Sequence, residues 1–315
     1  MPRFATLMLL ACTAAASLIP APVLAGKTAP PEAAEAAAVA KSGRLPINGV
    51  DYYYEIRGQG EPLLLLHGGL GSTGMFGPVL PILAAERQVI GVDLHGHGRT
   101  TLGDRPIDPV DIGDDMAALL QALGYDQVDV LGYSFGGGVA FRLAAQHPQR
   151  VRRLAIASAG FSQDGFHPEM LPMQAQVGAD MAEAMKDTPM YQSYREIAPN
   201  VDDFPRLLDR MGELMRKPYD WSTDVAKLQM PVMLIFGDSD MFRPEHIVEF
   251  YRLLGGGQKD AGWMREHMSQ NRLAILPNLT HYEMFMAPEM ANTVLPFLNG
   301  GSDAKSWAEQ VQAGG

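Results

Sequence analysis

The chain has 315 residues, 47% of them hydrophobic and 19% charged, enough apolar content to fill one large globular core and too much for a disordered or fibrous chain. A net charge of −11, with no Lys/Arg stripe, argues against nucleic acid as a partner. Cys12 is the single cysteine, so a chain that loses its N-terminus has no disulfide, no cysteine-ligated zinc and no cysteine nucleophile.

Met1-Pro2-Arg3 is a short basic start. An apolar run follows to Leu24, and Val23-Leu24-Ala25 supplies small residues at its end, so residues 1–25 read as a secretory signal peptide. The rivals are an uncleaved membrane anchor and lipidation of Cys12; the Pro20-Ala21-Pro22 break and the very early position of Cys12 count against them. The expectation is an exported protein, periplasmic or secreted, with no stable membrane span after cleavage. Residues 26–43 are rich in Ala, Pro and Glu and lack a repeating apolar face, which predicts a tether ahead of a domain over residues 44–299.

Structure is expected to open near Arg44 with an antiparallel hairpin turning at Asn48-Gly49, a dipeptide suited to positive φ angles. Short apolar runs then alternate with helical stretches: Leu63–Leu66, Val89–Val92, Val128–Leu131, Leu154–Ile156, Val232–Phe236 and Leu273–Leu276. Unbroken runs of this length suit strands buried on both faces of a mostly parallel α/β sheet. The intervening segments include a predicted helix over Ile112–Leu123, stopped at Gly124.

One interval departs from this rhythm. Residues 161–227 have helical character without a strand and read as an inserted cap. Its methionines (Met170, Met173, Met181, Met185, Met190, Met211, Met215) either line an adaptable apolar pocket or simply pack the helices. Gly255–Asn271 is Gly-rich and then polar, with Trp263 in it, and takes no assignment. Residues 300–315 are expected to form a loosely held tail.

Gly132-Tyr133-Ser134-Phe135-Gly136 has the form G-x-S-x-G and lies where the strand Val128–Leu131 passes into a helix over Gly137–Gln146. Small flanking residues allow a turn so sharp that the serine projects above the sheet edge beside a helix N-terminus, whose N–H groups favour a developing oxyanion. A serine hydroxyl needs a positioned base. Among eight histidines His281 fits best, on a loop after Leu273–Leu276. The base needs a buried acceptor, and Asp240 leaves the end of Val232–Phe236 through Gly237-Asp238-Ser239-Asp240, with Asp238 as the local rival.

With these elements on view, the sequence resembles the α/β-hydrolase superfamily, specifically its esterase-like members, over about residues 44–299. His67-Gly68-Gly69 looks like the family's oxyanion loop, and Asp93-Leu94-His95-Gly96-His97-Gly98 resembles its D-x-x-G-H-G turn. The resemblance implies a mostly parallel eight-stranded sheet flanked by helices, with a helical cap. It also implies an oxyanion hole from the N–H groups of Gly69 and Phe135, structural roles for His67 and His97, and no cofactor or metal. His95 and His97 alternate as zinc ligands can, but no third ligand is suggested; His147, His167, His246 and His267 read as surface or cap residues.

The function so implied is hydrolysis of a carboxylic ester, on a small and apolar substrate, through an acyl-enzyme on Ser134. Lactone, amide or peptide, and C–C bond hydrolysis could use the same three residues. Aspartate-nucleophile relatives are excluded by Ser134. Proline iminopeptidases are disfavoured by Leu70, and perhydrolases by Gly69 and Phe135. A ligand-binding sensor on the same fold is the non-enzymatic alternative.

Overall fold

The computed structural model describes residues 38–300 and 306–313. The signal-peptide expectation and most of the tether lie outside those residues. Two β-rich segments open the fold: β1 (Val39–Ile47) and β2 (Val50–Arg57) pair antiparallel from Ile47↔Val50 back to Val39↔Arg57. Asn48 and Gly49 make the turn with φ of 48° and 85°, the positive angles a two-residue hairpin demands. The Asn48 side chain donates to Asp115 Oδ1 at 2.8 Å. Strand pairing begins at Val39, ahead of Arg44, so residues 39–43 belong to the sheet and not to the tether; β2 offers them a partner whatever their own composition.

The remaining strands are β3 (Pro62–Leu66), β4 (Gln88–Val92), β5 (Val128–Tyr133), β6 (Val151–Ala157), β7 (Val232–Ser239) and β8 (Arg272–Thr280). Together they form one eight-stranded sheet in the order β1-β2-β4-β3-β5-β6-β7-β8. β2 meets β4 antiparallel, and from β4 to β8 every pairing is parallel. Alternate residues feed two separate cores: Leu64, Leu66, Val130 and Ile156 on one face, Leu63, Leu65, Leu131 and Ala155 on the other. That double burial is why the central strands read as unbroken apolar runs.

Helices α1 (Val79–Ala84), α2 (Pro109–Ala122) and α3 (Phe135–Gln146) lie between strands. α2 begins three residues before Ile112 because Asp108 caps it, accepting from Val110 N–H at 2.9 Å, with Pro109 in the first turn. Between β6 and β7 the elements are helical: α4 (Met170–Ala175), α5 (Ala182–Met185), α6 (Pro189–Ile197), α7 (Phe204–Arg216) and α8 (Ser222–Val225), joined by short 3-10 turns. This is the cap. Its methionines divide: Met185 and Met211 are buried in the core, and Met190 is exposed.

After β7 come α9 (Pro244–Leu253), the turn-rich stretch 255–271, β8 and α10 (Pro288–Leu298). Asn271 ties that stretch down: its side chain accepts from Val232 N–H at 2.8 Å and donates to the Leu254 carbonyl at 2.6 Å. Part of the tail is helical. Residues Trp307–Ala313 form α11, started by a reciprocal cap between Ser306 and Glu309, and Trp307 meets Trp263 edge-on at 5.4 Å.

At the end of the sheet remote from the strands' carboxyl termini, Asp129 is fully buried. It accepts from Arg87 Nη2 and from Arg152 Nε and Nη2, the latter two at 2.9 and 3.0 Å. Arg87 also donates to the Leu298 carbonyl at 3.1 Å, so one carboxylate joins β4, β5, β6 and α10. Asp129→Ala is expected to lower the unfolding free energy by about 3–5 kcal/mol, the cost of stranding buried charge. Urea denaturation reads it, and a loss below about 1 kcal/mol, as for a surface pair, would refute the buried-charge account.

Candidate active site

The chain leaves β5 into α3 through a turn with almost no spare volume. A Cβ on Gly132 would stand 2.2 Å from the Gly136 carbonyl oxygen, and one on Gly136 would stand 2.4 Å from that of Leu66. Neither position admits a side chain. Between them Ser134 takes φ 53° and ψ −120°, a strained conformation for a residue with a Cβ, and stays half-buried. The Ser134 N–H donates to the Ala157 carbonyl at 2.9 Å, fixing the turn to the end of β6.

His281 arrives from the loop after β8. Its Nε2 lies 2.9 Å from Ser134 Oγ and its Nδ1 lies 3.3 Å from Asp240 Oδ1. A carboxylate only accepts, so Nδ1 carries the ring proton and Nε2 faces the serine as an acceptor. Three residues predicted from the sequence are thus brought into one line, while the rival Asp238 is exposed.

Asp240 and His281 are buried. Burial pushes the Asp240 carboxyl upward, but the hydrogen bonds from His281, Ser158 and Gly237 outweigh it and hold the group below the usual carboxylate range. Those last two partners meet Oδ2: Ser158 Oγ at 2.5 Å and Gly237 N–H at 3.3 Å. The His281 loop is held as well. The Tyr133 hydroxyl donates to the His281 carbonyl at 2.5 Å, and Glu283 accepts from Thr280 N–H at 2.7 Å. Burial raises the Tyr133 hydroxyl's pKa, so it remains a donor.

Ser158 and Tyr133 were not singled out in the sequence. Tyr133 sat unread inside the G-x-S-x-G motif. Ser158 is the first polar residue after the β6 apolar run, at the carboxyl edge where a parallel sheet gathers its functional groups, and that position was its signal.

Gly69 lies beside the turn, since a Cβ built on it would stand 3.9 Å from Phe135 Cβ and 3.0 Å from Met211 Cε of α7. Phe135 opens α3, so its N–H has no acceptor inside the helix. Gly69 and Phe135 are therefore neighbours, and Phe135 directly follows Ser134 in the chain.

Behind it stand the two loop histidines. His67 Nδ1 faces the Gly68 carbonyl at 2.7 Å while Nε2 accepts from Leu94 N–H at 2.9 Å. His97 stacks on Phe135 at 5.6 Å, and its Nδ1 faces the His95 carbonyl at 2.8 Å. The D-x-x-G-H-G turn closes on Asp93, which is fully buried and accepts from Thr73 N–H at 2.8 Å and Arg99 N–H at 2.9 Å. Among the described residues no group of three or more His, Cys, Asp or Glu side chains is placed to hold a metal ion. His246 departs from its reading as a surface or cap residue. It is buried, stacked on Phe161 at 4.1 Å, because α9 turns that face onto the cap's first residues.

Residues 61–188 match the family model for the α/β hydrolase fold. A pimeloyl-[acyl-carrier protein] methyl ester esterase of Neisseria meningitidis is 30% identical over 246 residues, 72% of this chain and 90% of that enzyme. The chain belongs to the α/β-hydrolase family. It is similar over a shorter span to a 2-hydroxymuconate semialdehyde hydrolase of a Pseudomonas strain, 42% identical over 113 residues, which is 33% of this chain and 39% of that enzyme. Among solved structures, a thermophilic esterase from Thermogutta terrifontis superposes with a TM-score of 0.63 at 21% identity, covering 82% of this chain and 98% of that one. That likeness carries the fold alone. As a member of this family with hydrolase relatives, the chain is a hydrolase.

Burial lowers the pKa of His67 from 6.5 to about 4, of His95 to about 4, of His97 to about 3 and of His246 to about 4. Below pH 6.5 the unfolded chain therefore takes up protons that the folded chain refuses. Stability should be full above that pH and fall as the pH drops toward 4, each histidine contributing up to about 1.4 kcal/mol per pH unit. Urea midpoints measured from neutral to mildly acidic pH check this, and a flat profile would contradict it.

Proposed function

We propose that the protein hydrolyses small apolar carboxylic esters through an acyl-enzyme on Ser134. The observation that carries this reading is the unbroken hydrogen-bonded line from Ser134 Oγ through the His281 ring to Asp240. In the first step Ser134 Oγ bonds to the ester carbonyl carbon as its proton passes to His281 Nε2. The carbonyl oxygen, now negative, sits against the N–H groups of Gly69 and Phe135. Collapse breaks the bond to the alkoxide, which takes the proton from His281 and leaves as the alcohol. Water then repeats the sequence on the acyl-serine, with His281 again the base, releasing the acid and restoring Ser134. Asp240 keeps the imidazole in its working tautomer and stabilises its transient positive charge.

The Neisseria relative, named a methyl ester esterase, supports the ester class. The cap supports a substrate with an apolar portion, since α7 brings the buried Met211 directly over Gly69. The reading includes export, from the signal-like residues 1–25; among the described residues no helix is long and apolar enough to cross a membrane.

Purified chain from Gly26 should hydrolyse p-nitrophenyl esters without added metal. Ser134→Ala and His281→Ala should each lower kcat by about 10⁴-fold or more while leaving the fold intact by circular dichroism. An enzyme inactive from acetate to long acyl chains, or one whose activity survives Ser134→Ala, would overturn the ester reading; lactones, amides and C–C substrates would be tried next.

A further inference from the structure

Ser158 has a set of properties that chain folding alone does not call for. It is fully buried, it follows the last residue of β6, and it holds φ at +52°, the left-handed region in which a side chain is strained. Glycine would fit this backbone at lower cost. Its N–H donates to the Ile235 carbonyl of β7 at 2.8 Å, so β7 keeps the backbone in place. The resulting orientation aims the hydroxyl at Asp240 Oδ2, 2.5 Å away. Gly237 N–H meets the same oxygen, and Oδ1 is left facing His281. The preceding residue, Ala157, accepts from Ser134 N–H. The dipeptide Ala157-Ser158 therefore holds the backbone of the serine with one residue and the carboxylate with the next.

We propose that Ser158 is a positioning residue for Asp240: its hydroxyl locks the carboxylate plane, so that one oxygen is occupied by the fold and the other is reserved for the His281 ring. This rests on the acyl-enzyme reading of the site. Ser158 touches no reacting atom. It acts by preventing the carboxylate from rotating as positive charge appears on His281, which would otherwise have to be met by reorientation during the reaction.

The test compares Ser158→Ala with Ser158→Gly in the mature chain, beside Ser134→Ala. Both Ser158 variants lack the hydroxyl, but only glycine relieves the backbone. Ser158→Gly should unfold at a higher temperature than Ser158→Ala. Yet both should lose about ten-fold in kcat on p-nitrophenyl esters with KM nearly unchanged, the scale of one hydrogen bond to a charged group. In both, the downfield proton NMR resonance of the His281 Nδ1–H should broaden or exchange faster than in the wild type. Recovery of wild-type kcat in Ser158→Gly would reduce Ser158 to a matter of backbone strain and overturn the proposal, as would unchanged kcat in both variants. If Ser134→Ala leaves ester turnover intact, the acyl-enzyme reading falls separately. The NMR comparison then decides this proposal: an unaltered resonance in both Ser158 variants refutes it.

Discussion

The rest of the site depends on a steric constraint: the backbone passing from β5 to α3 has neighbours within van der Waals reach on both sides of Ser134. With Gly132 pressed on Gly136 and Gly136 pressed on Leu66, the turn has no room for a side chain at either glycine, and Ser134 between them is held at φ 53°. The same tightness makes Phe135 the first residue of a helix, with a free amide beside the serine. A looser turn would leave Ser134 free to withdraw, and the careful placement of His281 would have nothing to meet.

Around this point the parallel sheet acts as a rack. β5 supplies Tyr133 and Ser134, β6 supplies Ala157 and then Ser158, β7 leads to Asp240, and β8 leads to His281. Because all four strands run the same way, their carboxyl ends lie along one edge, and residues distant in sequence become neighbours. The buried charges are handled differently at the two ends. At the amino end Asp129 is paired with arginines, which favours cohesion. At the carboxyl end Asp240 has hydroxyl and amide donors around it and a histidine before it, an arrangement in which positive charge can come and go.

Much of this was legible in the sequence because burial on both sheet faces writes itself as unbroken apolar runs, and because a turn this tight requires glycine at positions 132 and 136. The six apolar runs all fall within strands, and the line from Ser134 to Asp240 follows from strand ends and loop reach. What escaped depends on partners instead of on local pattern. β1 starts at Val39 because β2 is long enough to pair with it, although its own composition reads as a tether. The helix at Trp307 is set by a cap across three residues and by a ring supplied from the 255–271 stretch. His246 is polar by type and buried by the stacking of Phe161, a contact made across 85 residues. Ser158 matters only through Asp240, and no single-residue reading connects them.

The hairpin turn has a consequence for how the molecule ages. Asn-Gly is the dipeptide most open to spontaneous deamidation, because the glycine amide can attack the asparagine side chain. Here the folded turn holds Asn48 at positive φ with its side-chain amide donating to Asp115. If the amide were lost, the new carboxylate would face Asp115, a buried acceptor already serving Tyr52 and Arg105, and two anions would meet where a hydrogen bond had been. Loss of that one amide would therefore set charge against charge at the turn that opens the sheet.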